Sequence, residues 1–189
     1  MVKNFNLDEK DKEILELLEK NPEKSQSEIA KAVGLSQPSV GARIKKLKDL
    51  EIIDHVYGIN LKKVKFYLIK VDLKCTNPKE MLKKFSECPY FLNGFVVVGE
   101  KNLTLLFISE DLATLESILD KQIRLNPNVQ SVEAGIVVRA EKDIVTPMKI
   151  KVEKGKVPCE NGNCSSCDFW NLNLCLGCPI TGYYRGKIW

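Results

Sequence analysis

Residues 25–47 of the chain read SQSEIAKAVGLSQPSVGARIKKL, and this stretch decides the fold of the first domain. Ser25 is followed three residues later by Glu28, which is the spacing of a capping box and predicts that a helix begins at the next residue. Gly34 then allows a tight turn. Ser36 is a good N-cap for a further helix, because its hydroxyl can accept a hydrogen bond from a free backbone N–H. The stretch therefore predicts two helices joined by a short turn.

The small and apolar residues of this stretch sit where a helix-turn-helix crossing needs them. Ala30 lies where two helices approach, Gly34 lies at the turn, and Val40 lies in the core of the next helix. A helix capped by Asp8 precedes them and carries its own apolar stripe. The sequence therefore predicts a three-helix reader of DNA, with a generic helical subdomain as the alternative.

Three segments carry a resemblance to a known family: LDEKDKEIL at 7–15, SEIAKAVGLS at 27–36 and VGARIKKL at 40–47, followed by Ile52-Ile53. Together they resemble the amino-terminal domain of Lrp/AsnC-type transcriptional regulators. The resemblance extends over about residues 5 to 139. It implies that residues 1–60 form a winged helix-turn-helix domain, that the partner is double-stranded DNA, and that the chain is not an enzyme.

The same resemblance places the third helix in the major groove of DNA. The residues expected to face base edges or neighbouring phosphates are Ser36, Gln37, Ser39 and Arg43. Lys45 and Lys46 are expected to contact phosphates, which adds affinity without sequence preference, and the alternative for them is an ordinary solvated lysine face.

A small β-wing is predicted after the third helix. Apolar residues flank the turn Tyr57-Gly58, and they are Ile52, Ile53 and Val56 before it and Ile59 and Leu61 after it. His55, the single histidine of the chain, falls beside this wing, where a surface or packing role is expected.

Residues 61–140 predict a ferredoxin-like α+β domain with the order strand, helix, strand, strand, helix, strand. The predicted strands are Phe66–Leu73, Phe91–Val98, Leu103–Ser109 and Val129–Arg139, with helices that begin at Asn77 and Asp111. This region is similar to the dimerisation and ligand-sensing module of the Lrp/AsnC family, which implies a homodimer or a higher oligomer. Gly99 and Asn102 are the candidate contacts for a small-molecule effector. Asn102 stands where the family usually carries aspartate, so a carboxylate for a ligand ammonium is absent at that position.

Residues 141–158 are interpreted as a linker, with an added strand expected at Met148–Val152. The tail, residues 159–189, has too few aliphatic residues for a core of its own. It is expected to need a staple, that is, a cross-link such as a bound metal. Of the seven cysteines of the chain, five fall in this tail, namely Cys159, Cys164, Cys167, Cys175 and Cys178. Two Cys-x2-Cys pairs place thiolates on tight turns, which is the spacing that metal ions and clusters require.

Two cofactors fit this cysteine pattern. Zinc is favoured, with four thiolates from Cys164, Cys167, Cys175 and Cys178 and with Cys159 as a spare or exchanging ligand. A [4Fe–4S] cluster is the alternative, because the spacing from Cys159 to Cys167 is similar to that of plant-type ferredoxins and Cys178-Pro179 to that of bacterial ones. The tail also resembles the short metal-sensing appendages of some archaeal relatives of the family. The resulting hypothesis is a regulator that responds to metal or redox state, and its alternative is an iron–sulfur or thiol electron-transfer protein that carries a helix-turn-helix.

Composition indicates the expected compartment of the protein and the kinds of partner it has. A hydrophobic fraction of 44% and a charged fraction of 29% are those of an ordinary globular protein. The apolar runs are of strand length, and the first residues lack a signal-peptide core, so we expect a cytoplasmic protein without a membrane partner. A net charge of +4 does not by itself indicate nucleic-acid binding, but basic residues concentrate between Arg43 and Lys65.

Overall fold

The computed structural model describes residues 6–54, 56–148, 150–152 and 163–189. The predictions made for His55 and Cys159 lie outside these residues. The chain divides between Val56 and Tyr57 into two compact units, which are described separately below as the reader unit and the sheet unit.

The reader unit consists of three helices, as the sequence predicts. They are α1 (Glu9–Lys20), α2 (Gln26–Val33) and α3 (Gln37–Asp49). The core between them is formed by Ile14, Ile29, Ala30, Val33, Val40 and Ile44. The predicted core position of Val40 is therefore confirmed, and burial of these six side chains is the main source of stability for a unit of this size.

Each helix of the reader unit begins at the predicted cap. Asp8 accepts a hydrogen bond from the backbone N–H of Asp11, and the Asp11 carboxylate accepts one from the N–H of Asp8 in return. Ser25 and Glu28 form the second capping box. Between α2 and α3, Gly34 has a φ of +69°, which is the left-handed conformation that glycine adopts without a steric penalty.

The sheet unit has the predicted ferredoxin-like order. Its elements are β1 (Ile59–Asn60), β2 (Tyr67–Cys75), α4 (Pro78–Ser86), β3 (Phe91–Val96), β4 (Leu103–Ser109), α5 (Leu112–Ile118), a π-helical turn (Leu119–Arg124), β5 (Val129–Ile136) and β6 (Val145–Thr146). The four long strands form an antiparallel sheet in the order β3-β4-β2-β5. The helices pack on this sheet over a core that includes Val71, Phe85, Phe107 and Leu115.

The structure corrects two strand predictions. Residues 52–54 and 56 form no strand, and Ile59 and Asn60 pair instead with Thr146 and Val145. Gly58 permits this pairing, because a Cβ atom there would lie 2.8 Å from the Thr146 backbone. The added strand expected at Met148–Val152 likewise occurs earlier, as β6, and residues 148 and 150–152 are not in a strand.

The described part of the tail contains two short helical turns and packs against the sheet unit. The turns are a 3₁₀ turn (Cys164–Ser166) and α6 (Asp168–Asn171). Trp189 contributes to the main core of the unit, and Cys178 is buried. The tail therefore gains packing from the sheet unit in addition to any staple of its own. Among the helices of the described residues, none is both long enough and apolar enough to cross a membrane.

Candidate nucleic-acid interface and cysteine tail

The outer face of α3 is polar and exposed. Val40, Ile44 and Leu47 are buried on the inner face, at the helical spacing of four and three residues. Gln37 and Ser39 before Val40 are exposed, and so are Ala42, Lys45 and Lys46 between the buried positions. An exposed helix face with amide, hydroxyl and ammonium groups has the donors and acceptors that base edges and phosphates bind.

The first turn of α3 is held against α2 by side-chain contacts. The Ser36 hydroxyl accepts a hydrogen bond from the Ser39 N–H at 3.3 Å, so Ser36 acts as the helix cap. Gln37 Nε2 donates to Gln26 Oε1 at 3.3 Å. Gly41 lies so close to α2 that a Cβ atom would come within 2.8 Å of Gln26 Oε1. The position of α3 on the unit is therefore fixed at the end that carries Gln37 and Ser39.

Arg43 pairs with two carboxylates of the same unit. Its Nη1 lies 2.6 Å from Asp8 Oδ2 and 2.6 Å from Asp11 Oδ1. Asp11 is only 1% exposed, and Lys46 Nζ lies 3.9 Å from its other oxygen. The hydrogen bond from Arg43 lowers the pKa of Asp8, and those carboxylates raise the pKa of Arg43. Arg43 thus connects α3 to the start of α1, and its expected contact with DNA stays a prediction.

The comparisons with known proteins agree with this geometry. The winged helix-turn-helix DNA-binding family matches residues 7–54. The transcriptional regulator Ptr1 of Methanocaldococcus jannaschii is 29% identical over 141 residues, which cover 72% of this chain and 95% of that protein. LrpA of Pyrococcus horikoshii is 29% identical over 140 residues, which cover 72% of this chain and 99% of that protein.

Solved structures share the fold across both units. AsnC of E. coli superposes with a TM-score of 0.65 at 20% identity, over 73% of this chain and 96% of that chain. A transcriptional regulator of Neisseria meningitidis, solved as an L-Met complex, superposes with a TM-score of 0.63 at 21% identity, over 72% of this chain and 93% of that chain. By these matches the chain is similar to DNA-binding transcriptional regulators of the Lrp/AsnC type in sequence and in fold.

The two candidate effector contacts, Gly99 and Asn102, have structural roles in the sheet unit. Gly99 has a φ of +156° in the turn between β3 and β4. The Asn102 side chain accepts a hydrogen bond from the Cys75 N–H at 3.0 Å and donates one to the Cys75 carbonyl at 2.7 Å. Because both ends of the Asn102 amide are engaged by one backbone residue, its contribution to effector binding stays a prediction.

The described cysteines of the tail lie near polar groups of α5 and of the π-helical turn. Lys121 Nζ lies 3.1 Å from Cys167 Sγ, and Ser117 is hydrogen-bonded to Cys175. The Gly177 N–H points to Cys175 Sγ at 3.4 Å, within a turn where Gly177 has a φ of +83°. Such contacts favour the charged form of a thiol, and at Cys175 the effect of burial outweighs them.

Burial and charge act differently on these thiols. Burial raises the pKa of Cys175, and it raises that of Cys178 to about 11. Burial also acts to raise the pKa of Cys167, but the hydrogen bond from Lys121 outweighs it, so that this pKa is lowered. Within the described residues no three His, Cys, Asp or Glu side chains come together as a metal-binding group. The thiols are near enough to affect one another's pKa, but in this arrangement they do not form a ready coordination sphere.

Sequence reasoning missed the residues that hold the tail in place. Leu176 N–H donates to Thr114 Oγ1 at 2.8 Å, and the Tyr90 hydroxyl donates to the Gly177 carbonyl at 2.5 Å. Glu110 accepts hydrogen bonds from three residues near the end of the described tail. One signal was available: α5 and the turn after it carry Thr114, Ser117 and Lys121, a polar stripe at helical spacing that ordinary core packing does not require.

Proposed function

We propose that this chain is a transcriptional regulator of the Lrp/AsnC type that binds operator DNA in a sequence-specific manner, with α3 in the major groove. The observation that carries the proposal is the exposed polar face of α3 on a capped three-helix unit. Gln37 and Ser39 read base edges, since both are exposed on the first turn, the part of a recognition helix that approaches the bases. Ser36 positions that turn, and Ala42 offers a methyl group for contact with thymine.

The lysines of α3 are assigned to the phosphates in this proposal. Lys45 and Lys46 are exposed and follow the first turn, so they flank the reading surface. Arg43 has a different role, because its ion pairs with Asp8 and Asp11 hold α3 against α1. It orients the reading face, and it reaches DNA only if it leaves those partners.

Selection of binding sites from random duplexes, followed by fluorescence anisotropy, tests this assignment. Gln37→Ala is expected to weaken binding to the selected site by about 1–3 kcal/mol while leaving random duplex unaffected. Lys45→Ala is expected to weaken both and to reduce the slope of log affinity against log salt by about 1. Lys79→Ala, which removes the same charge from α4 of the sheet unit, is the matched control. Equal losses on both duplexes for Gln37→Ala contradict base reading by Gln37.

We infer that the functional unit is a homodimer joined at the edges of the sheet. β3 and β5 are the two edge strands, and the exposed apolar residues concentrate on them and just after them: Phe95, Val96, Val97, Val98, Ile136, Val137 and Val138. Exposed apolar edge strands favour pairing with another chain. Multi-angle light scattering is expected to give twice the chain mass or a multiple of it, and a monomer at micromolar concentration contradicts the inference.

We also propose that the tail cysteines bind zinc and so place DNA binding under metal or redox control. In this proposal the ligands are Cys164, Cys167, Cys175 and Cys178, with Cys159 as an exchanging fifth thiol. The support is the pair of Cys-x2-Cys turns, the Lys121 ammonium at Cys167 Sγ, and the Gly177 N–H at Cys175 Sγ. When bound, the metal would staple the tail, and the thiols would move closer together than they are in this structure.

Metal analysis of anaerobically purified protein decides between the cofactors. One zinc per chain, lost in Cys175→Ser and kept in Cys88→Ser, supports the zinc proposal. A brown sample that bleaches reversibly favours the [4Fe–4S] alternative. A metal-free chain that binds operator equally well with reduced and oxidised thiols contradicts both forms of control.

An amino-acid effector at Gly99 and Asn102 is tested in the same binding assay. The probe is L-methionine, because the Neisseria meningitidis regulator of the same fold was solved in complex with it. A change in operator affinity that Asn102→Ala removes supports an effector at this turn. Equal affinity with and without millimolar L-methionine contradicts methionine as the effector.

A further inference from the structure

The described tail ends in a segment, Tyr184–Trp189, that wraps around one carboxylate of the sheet unit. Glu110 lies between β4 and α5, 77 residues before Lys187. Its Oε2 accepts the Lys187 N–H at 2.9 Å, and its Oε1 accepts the Ile188 N–H at 3.4 Å and the hydroxyl of Tyr184. A single carboxylate thus satisfies donors from a phenol and from two consecutive backbone amides, as an anion does when it is captured in a turn.

The aromatic ring of Trp189 fills the apolar part of the same site. It stacks on Phe66 with ring centroids 5.5 Å apart and planes at 15°. It also meets the edge of Tyr90 at 5.3 Å and that of Tyr184 at 5.9 Å. Contacts of this kind add to the free energy gained from burying the ring. The segment is therefore held at both ends, by Glu110 at its backbone and by three rings at Trp189.

The sequence of the segment is suited to this position. A Cβ atom on Gly186 would fall on Tyr184 Oη and on Glu110 Oε1. Any other residue at 186 therefore forces those two groups apart. By contrast, Gly182 of the same tail has no heavy atom within 4 Å of the place where its Cβ would be.

Phe66, on which Trp189 stacks, belongs to the segment that follows the reader unit in the chain. Residues 57–66 are the segment through which the chain passes from the reader unit into the sheet. Within this segment, Phe66 N–H is bonded to the Leu61 carbonyl at 3.0 Å, and Leu61 N–H is bonded to the Ile144 carbonyl at 3.0 Å. Phe66 also packs on the cluster of Leu61, Leu68 and Ile108. Trp189 thus stacks on a residue of the connecting segment.

We propose that Glu110, Tyr90 and Phe66 form a docking site for the chain's own Tyr184–Trp189 segment, and that its occupancy holds residues 57–66, the segment that follows the reader unit in the chain, and so regulates DNA binding. A docked tail orders the segment before DNA binds, whereas a released tail leaves Phe66 without its stacking partner and lowers DNA affinity. The inference rests on the proposed function, because it assigns a regulatory role to the tail of a DNA-binding protein. It does not depend on which metal the cysteines hold.

The test compares Gly186→Ala with Gly182→Ala in the full chain. Both tryptophans of the chain, Trp170 and Trp189, lie in the tail, so tryptophan emission reports on docking. Gly186→Ala is expected to shift the emission to the red and to weaken operator binding by about fivefold or more. Gly182→Ala is expected to match the wild type in both measurements. Glu110→Gln, which places an amide donor opposite the Lys187 and Ile188 amides, is the second variant and is expected to behave as Gly186→Ala does.

Each other outcome overturns a defined part of the proposal. An unshifted emission in both Gly186→Ala and Glu110→Gln shows that Glu110 does not hold the tail. A red shift with unchanged operator affinity shows that the tail docks but does not act on the reader unit. If the wild type fails to bind any duplex, the proposed function fails together with the coupling, while the emission data still decide whether the segment docks at Glu110.

Discussion

Replacement of Ile29 by alanine is expected to destabilise the reader unit strongly while leaving the stability of the sheet unit unchanged. Ile29 lies on α2, is 0% exposed, and packs among Ile14, Val33 and Val40. The substitution removes three carbon atoms, which corresponds to about 2.4 kcal/mol of transfer free energy at 0.8 kcal/mol per methylene. The cavity that remains raises the cost to about 3–4 kcal/mol. A unit of roughly 50 residues has a stability of only about 2.5–7.5 kcal/mol, so this single change removes about 40% of it or more.

Two probes separate the units in this experiment. Tryptophan emission reports on the sheet unit alone, because both tryptophans follow residue 57. Far-UV circular dichroism also reports on α1–α3. Ile29→Ala is expected to lower the melting temperature seen by circular dichroism and to abolish operator binding, with an unchanged transition in tryptophan emission. Lys31→Ala, an exposed change on the same helix, is the control. The reasoning is refuted if Ile29→Ala melts as the wild type does, or if both probes shift together by the same amount.

Two further predictions concern the attachment of the tail. Tyr90→Phe removes the buried hydrogen bond to the Gly177 carbonyl and is expected to lower the free energy of unfolding of the sheet unit by about 1–2 kcal/mol in urea titrations followed by tryptophan emission; an unchanged midpoint contradicts it. Burial and the bond to Glu110 raise the pKa of Tyr184 from 10.0 to about 12, so the folded state retains the phenol proton longer than the unfolded chain does. The stabilisation is therefore fully present below pH 10.0 and is lost as the pH rises through about 12. Tyr184→Phe is expected to flatten the fall in urea midpoint over this range, and a fall as steep as that of the wild type speaks against the assignment.

Local signals made the helices and most strands predictable. The caps at Asp8, Ser25 and Ser36 depend on hydrogen bonds that span three residues, and such spacing is legible in a sequence. The short apolar run after the turn at 99–102 predicted a strand over Leu103–Ser109, with the bounds that the structure gives. In these places local preference and tertiary packing favour the same conformation.

Contacts between distant residues were not predictable. The predicted wing around Tyr57-Gly58 was wrong because Ile59 and Asn60 pair with β6, more than 80 residues later in the chain. Nothing in the sequence near Gly58 indicated that pairing. The pairing of Arg43 with Asp11 joins residues 32 apart. The sequence pattern around Arg43 is the same whether its side chain faces DNA or binds a carboxylate of its own domain. The docking of the tail at Glu110 was also not predictable. A single acidic residue before a helix cap does not indicate which distant amides and hydroxyl it will bind.

The most direct test of the account is the affinity of the purified full chain for a duplex of its own promoter and for a random duplex of equal length, measured across a range of salt concentrations. The account predicts that both duplexes bind at low salt, that log affinity falls linearly with log salt, and that the promoter retains an advantage that Gln37→Ala removes. An absence of binding to either duplex at low salt would contradict the claim that α3 reads DNA.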